Sequence, residues 1–396
     1  MSGRDAQESG RRPRVLVLVF SAVGLDPRVT KQISLLAPVC DVRVAGYSPA
    51  PGRESGFLEL PRAGSTLLHR VLRACMLLTR LDMAYYWSRA DVRQALLELS
   101  GERFDLVLAN DIDTLPLALR LANGASVHFD AHEYHPREFE DLLGWRLVMQ
   151  RHVTFLCRTF IPLVSTMSTV SSGLAREYGV VFGVCPSIII NAPGGTSPPP
   201  SAALPAVTRL VYHGAAIKSK RIELVLEVAR LLGAGYTLDL ILVPSDKHYM
   251  ARLKALSSKV PGTRILPPVS RAELKAVLND YDVGVCIVED VSFNYANALP
   301  NKFFECIHAA LAIVVGPSGE MPELVRHHGC GVVTPSFTAA DIAASIRSMT
   351  PASVALMKDR SRVASQSLNW ESASERLLGH LAEHLPNHFR SRVRQE

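Results

Sequence analysis

The chain has 396 residues, of which 48% are hydrophobic and 20% are charged. This balance is typical of folded globular proteins and excludes a disordered chain, a coiled coil and a collagen-like fibre. The net charge of +6 suits an anionic ligand or a membrane surface, or reflects only a preference for arginine. No basic run alternates with aromatic residues as a nucleic-acid binder requires. At about 100–200 residues per domain, the length predicts two domains.

The N-terminal residues 1–13 are polar and rich in arginine, which predicts a disordered tail and not a secretory signal. No apolar run reaches the ~18 residues that a membrane-spanning helix needs. The seven cysteines are odd in number and include no Cys-x-x-Cys pair, which argues against zinc and against a disulfide framework. We therefore expect a cytoplasmic protein with reduced thiols and no metal site.

Apolar runs and helical patterns alternate along the first half of the chain. RVLVLVF at 14–20 is typical of a strand buried on both faces of a parallel sheet. A helix at 28–37 and a strand at 41–47 complete a βαβ unit with it. Further strands are predicted at 105–110, 126–132, 165–171 and 187–192. Helices are predicted mainly over 66–99 and 142–160.

The composition changes at 193–206, where five prolines and two glycines exclude a helix or a central strand. We interpret residues 194–207 as a linker. A second alternation follows, with strands predicted at 209–214, 238–243, 263–268, 282–288 and 312–317. Helices are predicted at 221–232, 249–257, 270–278, 301–311 and from about 320. The predicted fold is α/β, with doubly wound domains at 14–193 and 208–368.

In such sheets, ligands bind beyond the carboxyl ends of the strands. In the first domain Gly24 follows the first strand, Asp111 follows the strand at 105–110, and DAHEYHP ends the next strand. A neutral imidazole at His132 would suit contact with an acceptor hydroxyl or a leaving group. Plain turn and capping roles remain open for these residues. The His-Glu-x-x-His pattern of zinc enzymes is broken by Pro136.

In the second domain Gly214 allows close approach of the backbone to a ligand. Lys218, Lys220 and Arg221 stand at a helix start, where cations are unfavourable unless an anion is bound there. The alternative is that these three basic residues are exposed charges that only increase solubility. Glu305 lies among apolar residues of a helix that begins near Pro300, so its carboxylate needs a partner. This partner would be either the hydroxyls of a ribose or the cation of a structural salt bridge.

Eight motifs occur in order along nearly the whole chain, and together they resemble a GT-B glycosyltransferase, most similar to glycosyltransferase family 4. They are DPRV (26–29), AND-x-DTLPLA (109–118), DAHEYHP (130–136), IIINAP (188–193), YHG (212–214) with Lys220, PNKFFE (300–305), SGEMPELV (318–325) and NWE (369–371).

The resemblance implies two Rossmann-like domains facing a central cleft, with the C-terminal segment 369–396 returning to the first domain. It implies a retaining, metal-independent hexosyltransferase that uses a UDP or GDP sugar and no cofactor. The acceptor would be a small molecule or a lipid-linked glycan, in natural-product or cell-surface glycan biosynthesis.

The resemblance also assigns residues. The implied catalytic residues are His132, Lys220 and Glu305. The implied donor-binding residues are Gly24, Gly214, Lys218, Lys220, Asn297, Leu299, Asn301, Lys302 and Glu305. The implied acceptor side comprises Asp111, His132 and Glu133. Many family members carry a glutamate where this chain has Asn297, so the donor sugar stays open.

Three alternatives remain. A nucleotide-sugar 2-epimerase would act on the donor without an acceptor, and a non-catalytic nucleotide-sugar-binding auxiliary protein would bind without turnover. Residues 66–87 combine Arg70, Arg73 and Arg80 with leucines and terminal aromatics, so a peripheral contact with the inner face of the membrane is a third. For this segment we favour a core-facing helix with a solvated basic face.

Overall fold

The computed structural model describes residues 11–49, 55–62, 67–199 and 207–385, without the side chains of residues 67–70. Residues 1–10, 200–206 and 386–396, which include parts of the predicted tail, linker and final helix, lie outside these ranges. Two compact units form. The first unit comprises Met1–Ile189, Ser292–Asn294 and Ser374–Glu396, and the second comprises Ile190–Val291 and Tyr295–Ala373.

The described part of the first unit contains a parallel sheet and its helices. The strands are β1 (Arg14–Leu18), β2 (Asp41–Gly46), β3 (Phe57–Glu59), β4 (Leu106–Asn110), β5 (Ser126–Ala131), β6 (Thr166–Thr169) and β7 (Ser187–Ile188). The first helices are α1 (Pro27–Leu36), α2 (Leu67–Leu78), α3 (Asp82–Trp87), α4 (Ala90–Leu99), α5 (Leu115–Ala122), α6 (Leu143–Val148), α7 (Gln150–Phe160) and α8 (Ser172–Phe182).

The strand order in this sheet is β3-β2-β1-β4-β5-β6-β7. β1 pairs in parallel with β2 on one side and β4 on the other, so the chain reverses its winding direction between β1 and β4. Asp26 caps α1 by accepting from the backbone N–H groups of Arg28 and Val29, which places α1 directly after β1. A ligand is expected beyond the carboxyl ends of β1 and β4, where the winding reverses. β4 also pairs in parallel with β5, so the carboxyl ends of these two strands lie side by side.

The second unit repeats this architecture with different residues. Its strands are β8 (Thr208–Ala215), β9 (Tyr236–Val243), β10 (Thr263–Leu266), β11 (Val283–Val285), β12 (Ala312–Val315) and β13 (Gly331–Val333). The helices that follow α8 are α9 (Ile222–Leu232), α10 (Lys247–Ser257), α11 (Arg271–Asn279), α12 (Phe293–Ala296), α13 (Asn301–His308), α14 (Glu320–His328), α15 (Ala339–Arg347), α16 (Pro351–Ala364) and α17 (Trp370–Ala382).

The second sheet has the order β10-β9-β8-β11-β12-β13, again all parallel. Its core packs apolar side chains of the sheet, such as Leu210 and Leu240, against α9, whose Val225 and Leu226 are buried. The winding direction reverses between β8 and β11. No helix of the described residues is long and apolar enough to cross a membrane.

The structure corrects several predicted elements. The helical stretch predicted over 66–99 is three helices, because Arg80 adopts a left-handed backbone conformation (φ 63°) that ends α2. The strand predicted at 187–192 is confined to the two residues of β7. The short strands β3 and β13 were not predicted, since three residues carry too little periodicity to be distinguished from a loop.

Candidate active site

The second unit holds a pocket at the point where the winding of its sheet reverses. β8 ends in His213 and Gly214, and the loop after the neighbouring β11 carries Glu289; all three residues line the pocket. Gly214 has a backbone φ of +134°, a conformation that residues with a side chain rarely adopt. A Cβ at this position would lie 3.8 Å from Lys220 Nζ. A glycine is therefore required where β8 opens onto the pocket.

The cavity measures about 510 Å³ and has a polar end and an apolar wall. The polar end is formed by His213, Gly214, Ser219, Lys220, Arg221, Glu289, Tyr295, Asn301, Lys302 and Glu305. The apolar wall is formed by residues that include Leu224, Val225, Ile241, Val243, Pro268, Val269 and Leu274. A ligand with one flat apolar part and one charged part fits this division.

Two lysines give the polar end a positive charge. Burial, together with repulsion from Lys302, lowers the pKa of Lys220 to about 8. Burial also lowers the pKa of Lys302, whose Nζ lies 4.3 Å from the centre of the Tyr212 ring. Neither lysine forms a salt bridge within the described part of the chain. Two desolvated cations without a carboxylate partner favour an anion in the pocket.

Glu305, in the second turn of α13, faces the same end. Its Oε2 accepts a hydrogen bond from His213 Nε2 at 2.8 Å. Its side chain remains 22% exposed, whereas that of His213 is 7% exposed. His213 thus supplies the partner that Glu305 needs, and the carboxylate still has lone pairs for a ligand hydroxyl.

Arg221 was a candidate for anion binding from the sequence and lines the pocket, whereas Ser219, Glu289 and Tyr295 were not predicted as site residues. Arg221 has a left-handed backbone (φ 44°) and donates from Nη1 to Glu289 Oε1 at 2.6 Å. The buried Oε2 of Glu289 has no hydrogen-bond partner among the described residues. Tyr295 donates to Ser219 at 3.0 Å. The sequence positions of His213 and Glu289 could have indicated them, because both stand at the carboxyl ends of strands that are adjacent in the sheet.

The structure brings together part of the predicted donor set. Gly214, Lys220, Asn301, Lys302 and Glu305 line the pocket. The other predicted donor residues are not among its lining residues: Lys218 is exposed in the 3₁₀ turn Lys218–Lys220, Leu299 is buried, Asn297 is half-buried, and Gly24 lies in the 3₁₀ turn Val23–Leu25 of the first unit.

The first unit has its own polar cluster at the carboxyl ends of β4 and β5. The buried Asp130 carboxylate accepts from Arg28 through two nitrogens, from Gln32 Nε2 at 2.6 Å and from Ser168 Oγ at 2.6 Å. Arg28 is itself buried and also donates to the Ile189 carbonyl. Four donors saturate this carboxylate, which fixes the end of β5 that carries His132.

His132 lies between two carboxylates. Its Nδ1 is 3.2 Å from Asp111 Oδ2 and its Nε2 is 3.4 Å from Asp130 Oδ2. Burial lowers its pKa, but the two carboxylates outweigh burial and raise the pKa to about 10. The expectation of a neutral imidazole is therefore wrong, because the charged form is stabilised from both sides. A protonated imidazole has a donor at each ring nitrogen and no lone pair for a base, and here both nitrogens face a carboxylate.

The neighbouring residues complete the predicted acceptor side. Asp111 adopts a left-handed conformation (φ 64°), and its pKa is lowered, against the effect of burial, by His132 and His135. Glu133 is exposed at the surface of the chain. Loss of surrounding water and repulsion from Glu138 raise its pKa to about 7. Asp111, His132 and Glu133 are thus grouped beyond the carboxyl ends of β4 and β5.

Comparison with known protein families supports the conclusion that this protein is an enzyme. Residues 207–350 match the family described as "Glycosyl transferases group 1", a range that contains the pocket with Gly214, Lys220 and Glu305. Comparison with curated protein sequences finds no match for the chain.

Solved structures resemble the chain over nearly its whole length. Sucrose-phosphate synthase from Thermosynechococcus elongatus has a TM-score of 0.68 at 14% identity and covers 94% of this chain and 98% of its own. HepE from Anabaena, in complex with UDP and glucose, has the same score and identity over 93% and 99%. WaaG, a glycosyltransferase involved in lipopolysaccharide biosynthesis, scores 0.60 at 13% identity over 92% and 98%. The family match of residues 207–350 supports a glycosyltransferase enzyme, and the likeness to solved structures shows a GT-B fold similar to that of glycosyltransferase family 4.

Proposed function

We propose that the protein is a retaining, metal-independent hexosyltransferase that moves a sugar from a UDP or GDP sugar to an acceptor hydroxyl. The observation that carries the proposal is the pocket of the second unit. Its apolar wall suits a nucleobase, its two lysines suit a diphosphate, and Glu305 suits a ribose. No cofactor takes part. The acceptor is a small molecule or a lipid-linked glycan in natural-product or cell-surface glycan biosynthesis, and the reaction takes place in the cytoplasm.

The proposed chemistry rests on electrostatics. The bond between the anomeric carbon and the diphosphate breaks, and the leaving group gains negative charge. Lys220 and Lys302 stabilise that charge in a desolvated pocket, where a fixed cation has more effect than in water. The acceptor oxygen forms the new bond on the same face of the sugar, and its proton passes to the leaving diphosphate.

We assign acceptor binding to the first unit. His132 lies between Asp111 and Asp130 at the carboxyl ends of β4 and β5, and this polar group suits contact with the hydroxyls of a sugar acceptor. Glu133, with a pKa of about 7, suits a contact with the acceptor hydroxyl.

The donor sugar stays open because Asn297 stands where many family members have a glutamate. An amide hydrogen-bonds hydroxyls but brings no charge. Glu289, whose Oε2 has no partner among the described residues, offers a carboxylate in the same pocket.

The Glu305→Gln substitution tests the nucleotide assignment. It keeps the shape of the side chain and its bond with His213, but it removes the charge that would accept hydrogen bonds from the ribose. Charge-assisted hydrogen bonds contribute roughly 1.5–3 kcal/mol. Calorimetry should therefore show UDP or GDP affinity about ten- to a hundredfold weaker than in the wild type.

Pyrophosphate is the control ligand for this substitution. It lacks a ribose and should lose far less affinity, because its contacts lie at Lys220 and Lys302. Equal nucleotide affinity in wild type and Glu305→Gln would mean that Glu305 serves only as the structural partner of His213, and the assignment of this pocket to the nucleotide would fail.

Chelation tests the metal-independent mechanism. Lysine ammonium groups already supply positive charge at the polar end of the pocket, so turnover should persist in EDTA. Release of nucleoside diphosphate from the nucleotide sugar, followed with and without EDTA, measures this. A loss of activity in EDTA that manganese restores would contradict the proposal.

A non-catalytic nucleotide-sugar-binding role is the second candidate, and Asn297 favours it because the charge at this position is absent. Binding of nucleotide sugars without turnover across a broad acceptor panel would support it. A 2-epimerase would instead convert the donor with no acceptor present.

A further inference from the structure

The first unit carries an apolar segment that the fold leaves uncovered. α6 has no buried residue, and only Trp145 of this helix packs against the core. The large apolar side chains around it are exposed to solvent: Phe139 (44%), Leu142 (53%), Leu143 (61%), Leu147 (71%) and Val148 (36%). Single exposed leucines are ordinary, but a contiguous group of this kind marks an interaction surface.

α2 contacts α6 and enlarges this surface. The exposed side chains here are Val71 (52%), Leu72 (48%), Leu78 (71%) and, just after the helix, Leu81 (55%). From residue 71 to the end of α2, only Leu77 is buried. The expectation that this helix faces the core is therefore wrong for its described side chains. Arg70 lies among the side chains that are not described.

Basic residues accompany the apolar ones. Arg73 and Arg80 lie at α2 and Arg146 lies on α6, and none of them forms a salt bridge within the described part of the chain. Residues 71–81 contain no acidic residue and carry a net charge of +2, whereas Glu140 and Asp141 give residues 139–148 a net charge of −1. The two segments together combine exposed apolar side chains with a net charge of +1.

We propose that the lipid-facing surface, formed by residues 71–81 and 139–148, binds an anionic lipid bilayer. Short helices with leucines on one side and arginines beside them lie in the plane of the headgroups, with the apolar side chains in the acyl boundary. Anionic headgroups attract arginines near the membrane. The arginine side chains can extend to the headgroups while their stems stay in the apolar layer.

A second copy of the chain fits this surface less well. In a two-fold symmetric dimer the same patch faces itself, so Arg73, Arg80 and Arg146 of both copies would lie in one interface. Like charges in such an interface oppose association. A bilayer with anionic headgroups offers the opposite charge and an apolar layer together.

Binding to the bilayer does not depend on glycosyl transfer. If the proposed function also holds, the surface would bring the unit assigned to acceptor binding to the membrane, and the acceptor class would be a lipid-linked glycan. The experiment below measures membrane binding alone, so its failure would leave the proposed transfer reaction standing.

The test is sedimentation of the full chain with vesicles of phosphatidylcholine, alone or mixed with phosphatidylglycerol, at about 0.15 M salt. We expect binding to the anionic vesicles and little to the neutral ones. Each arginine near an anionic surface contributes about fivefold in partitioning. Replacing Arg73, Arg80 and Arg146 with glutamine should therefore lower binding by roughly a hundredfold.

Leu143→Ser with Leu147→Ser tests the apolar part and should lower binding at least about tenfold. All these side chains are half-buried or exposed, so circular dichroism should show an unchanged fold. The matched controls are Leu97→Ser, an exposed leucine on α4 of the same unit, and Arg230→Gln on α9. Both should bind anionic vesicles as the wild type does.

Two results would overturn the proposal. One is absence of sedimentation with anionic vesicles, or equal sedimentation of the wild type and the triple arginine variant. The other is a dimer, detected by sedimentation velocity, that the Leu143→Ser and Leu147→Ser pair abolishes while vesicle binding stays unchanged. That result would make a second copy of the chain the occupant of the surface.

Discussion

Replacing Lys220 with alanine should lower turnover by about 10²–10³, as removal of one oxyanion-stabilising group does in other enzymes. The charge of Lys220 is desolvated, and Nζ lies beside Gly214 at the end of β8. The measurement is kcat for the nucleotide sugar that most raises the melting temperature of the wild type. Nucleoside diphosphate release in the presence and absence of acceptors reports the rate.

Nucleotide binding by the wild type should also depend on pH. The pKa of Lys220 is about 8, and only the protonated amine attracts a diphosphate. Affinity should therefore be full well below pH 8 and fall by about tenfold by pH 9, one unit above that pKa. Lys220→Ala should lose the part of this dependence that is due to Lys220 and keep any part due to Lys302, whose pKa is also lowered by burial.

Lys218→Ala is the matched control for Lys220. Lys218 belongs to the same 3₁₀ turn, but it is exposed and does not line the pocket. Its replacement should change turnover by less than about threefold, as expected for an exposed charge. Wild-type turnover in Lys220→Ala would move the diphosphate away from β8 and overturn the assignment.

Arg28→Met should strongly destabilise the first unit. The substitution removes the guanidinium that supplies two of the four donors to the Asp130 carboxylate, which is fully buried. Breaking one partner of a buried pair costs about 3–5 kcal/mol. For a unit of this size, the melting temperature should fall by roughly 6–20 °C. Thermal unfolding followed by circular dichroism at neutral pH measures it.

A compensating variant separates loss of the ion pair from loss of packing. Arg28→Met with Asp130→Leu removes both charges and should recover part of the lost stability. Arg230→Met, which breaks an exposed pair with Glu227, should leave the midpoint unchanged. An unchanged midpoint in Arg28→Met alone would show that the pair does not stabilise the unit.

The stability that the Arg28–Asp130 pair provides should decrease at acidic pH. The Arg28 guanidinium holds the pKa of Asp130 well below its usual range, against the effect of burial. This contribution to stability is present above the pKa of an unfolded aspartate, about 3.9. It is lost as pH falls from there through the depressed folded value. Arg28→Met should therefore show a weaker loss of stability on acidification than the wild type.

The sequence alone determined the architecture because the signals for it are local. The apolar composition of RVLVLVF predicts a strand that is buried on both faces of the sheet. In the structure β1 is almost wholly buried. Ser270 predicts a helix start, and its side chain accepts from Glu273 N. Gly214 and Lys220 could be singled out because they follow a strand, and strand ends in a parallel sheet meet at one edge.

Pairings between distant residues required the tertiary structure. His213 and Glu305 are 92 positions apart, and Arg28 and Asp130 are 102 apart. The charge of His132 could not be predicted from DAHEYHP. Asp130 lies in that motif, but Asp111 approaches from a different loop, and the balance between burial and the two carboxylates sets the pKa.

Solvent exposure was also decided only by the tertiary structure. The arginines and leucines of α2 have the same helical spacing whether that helix packs on a core or faces outward. Periodicity shows which side chains share a face, but it does not show whether another element covers that face. In the folded chain most apolar side chains of α2 and α6 are exposed. Of the described side chains of these helices, Leu77 is buried and Trp145 packs against the core.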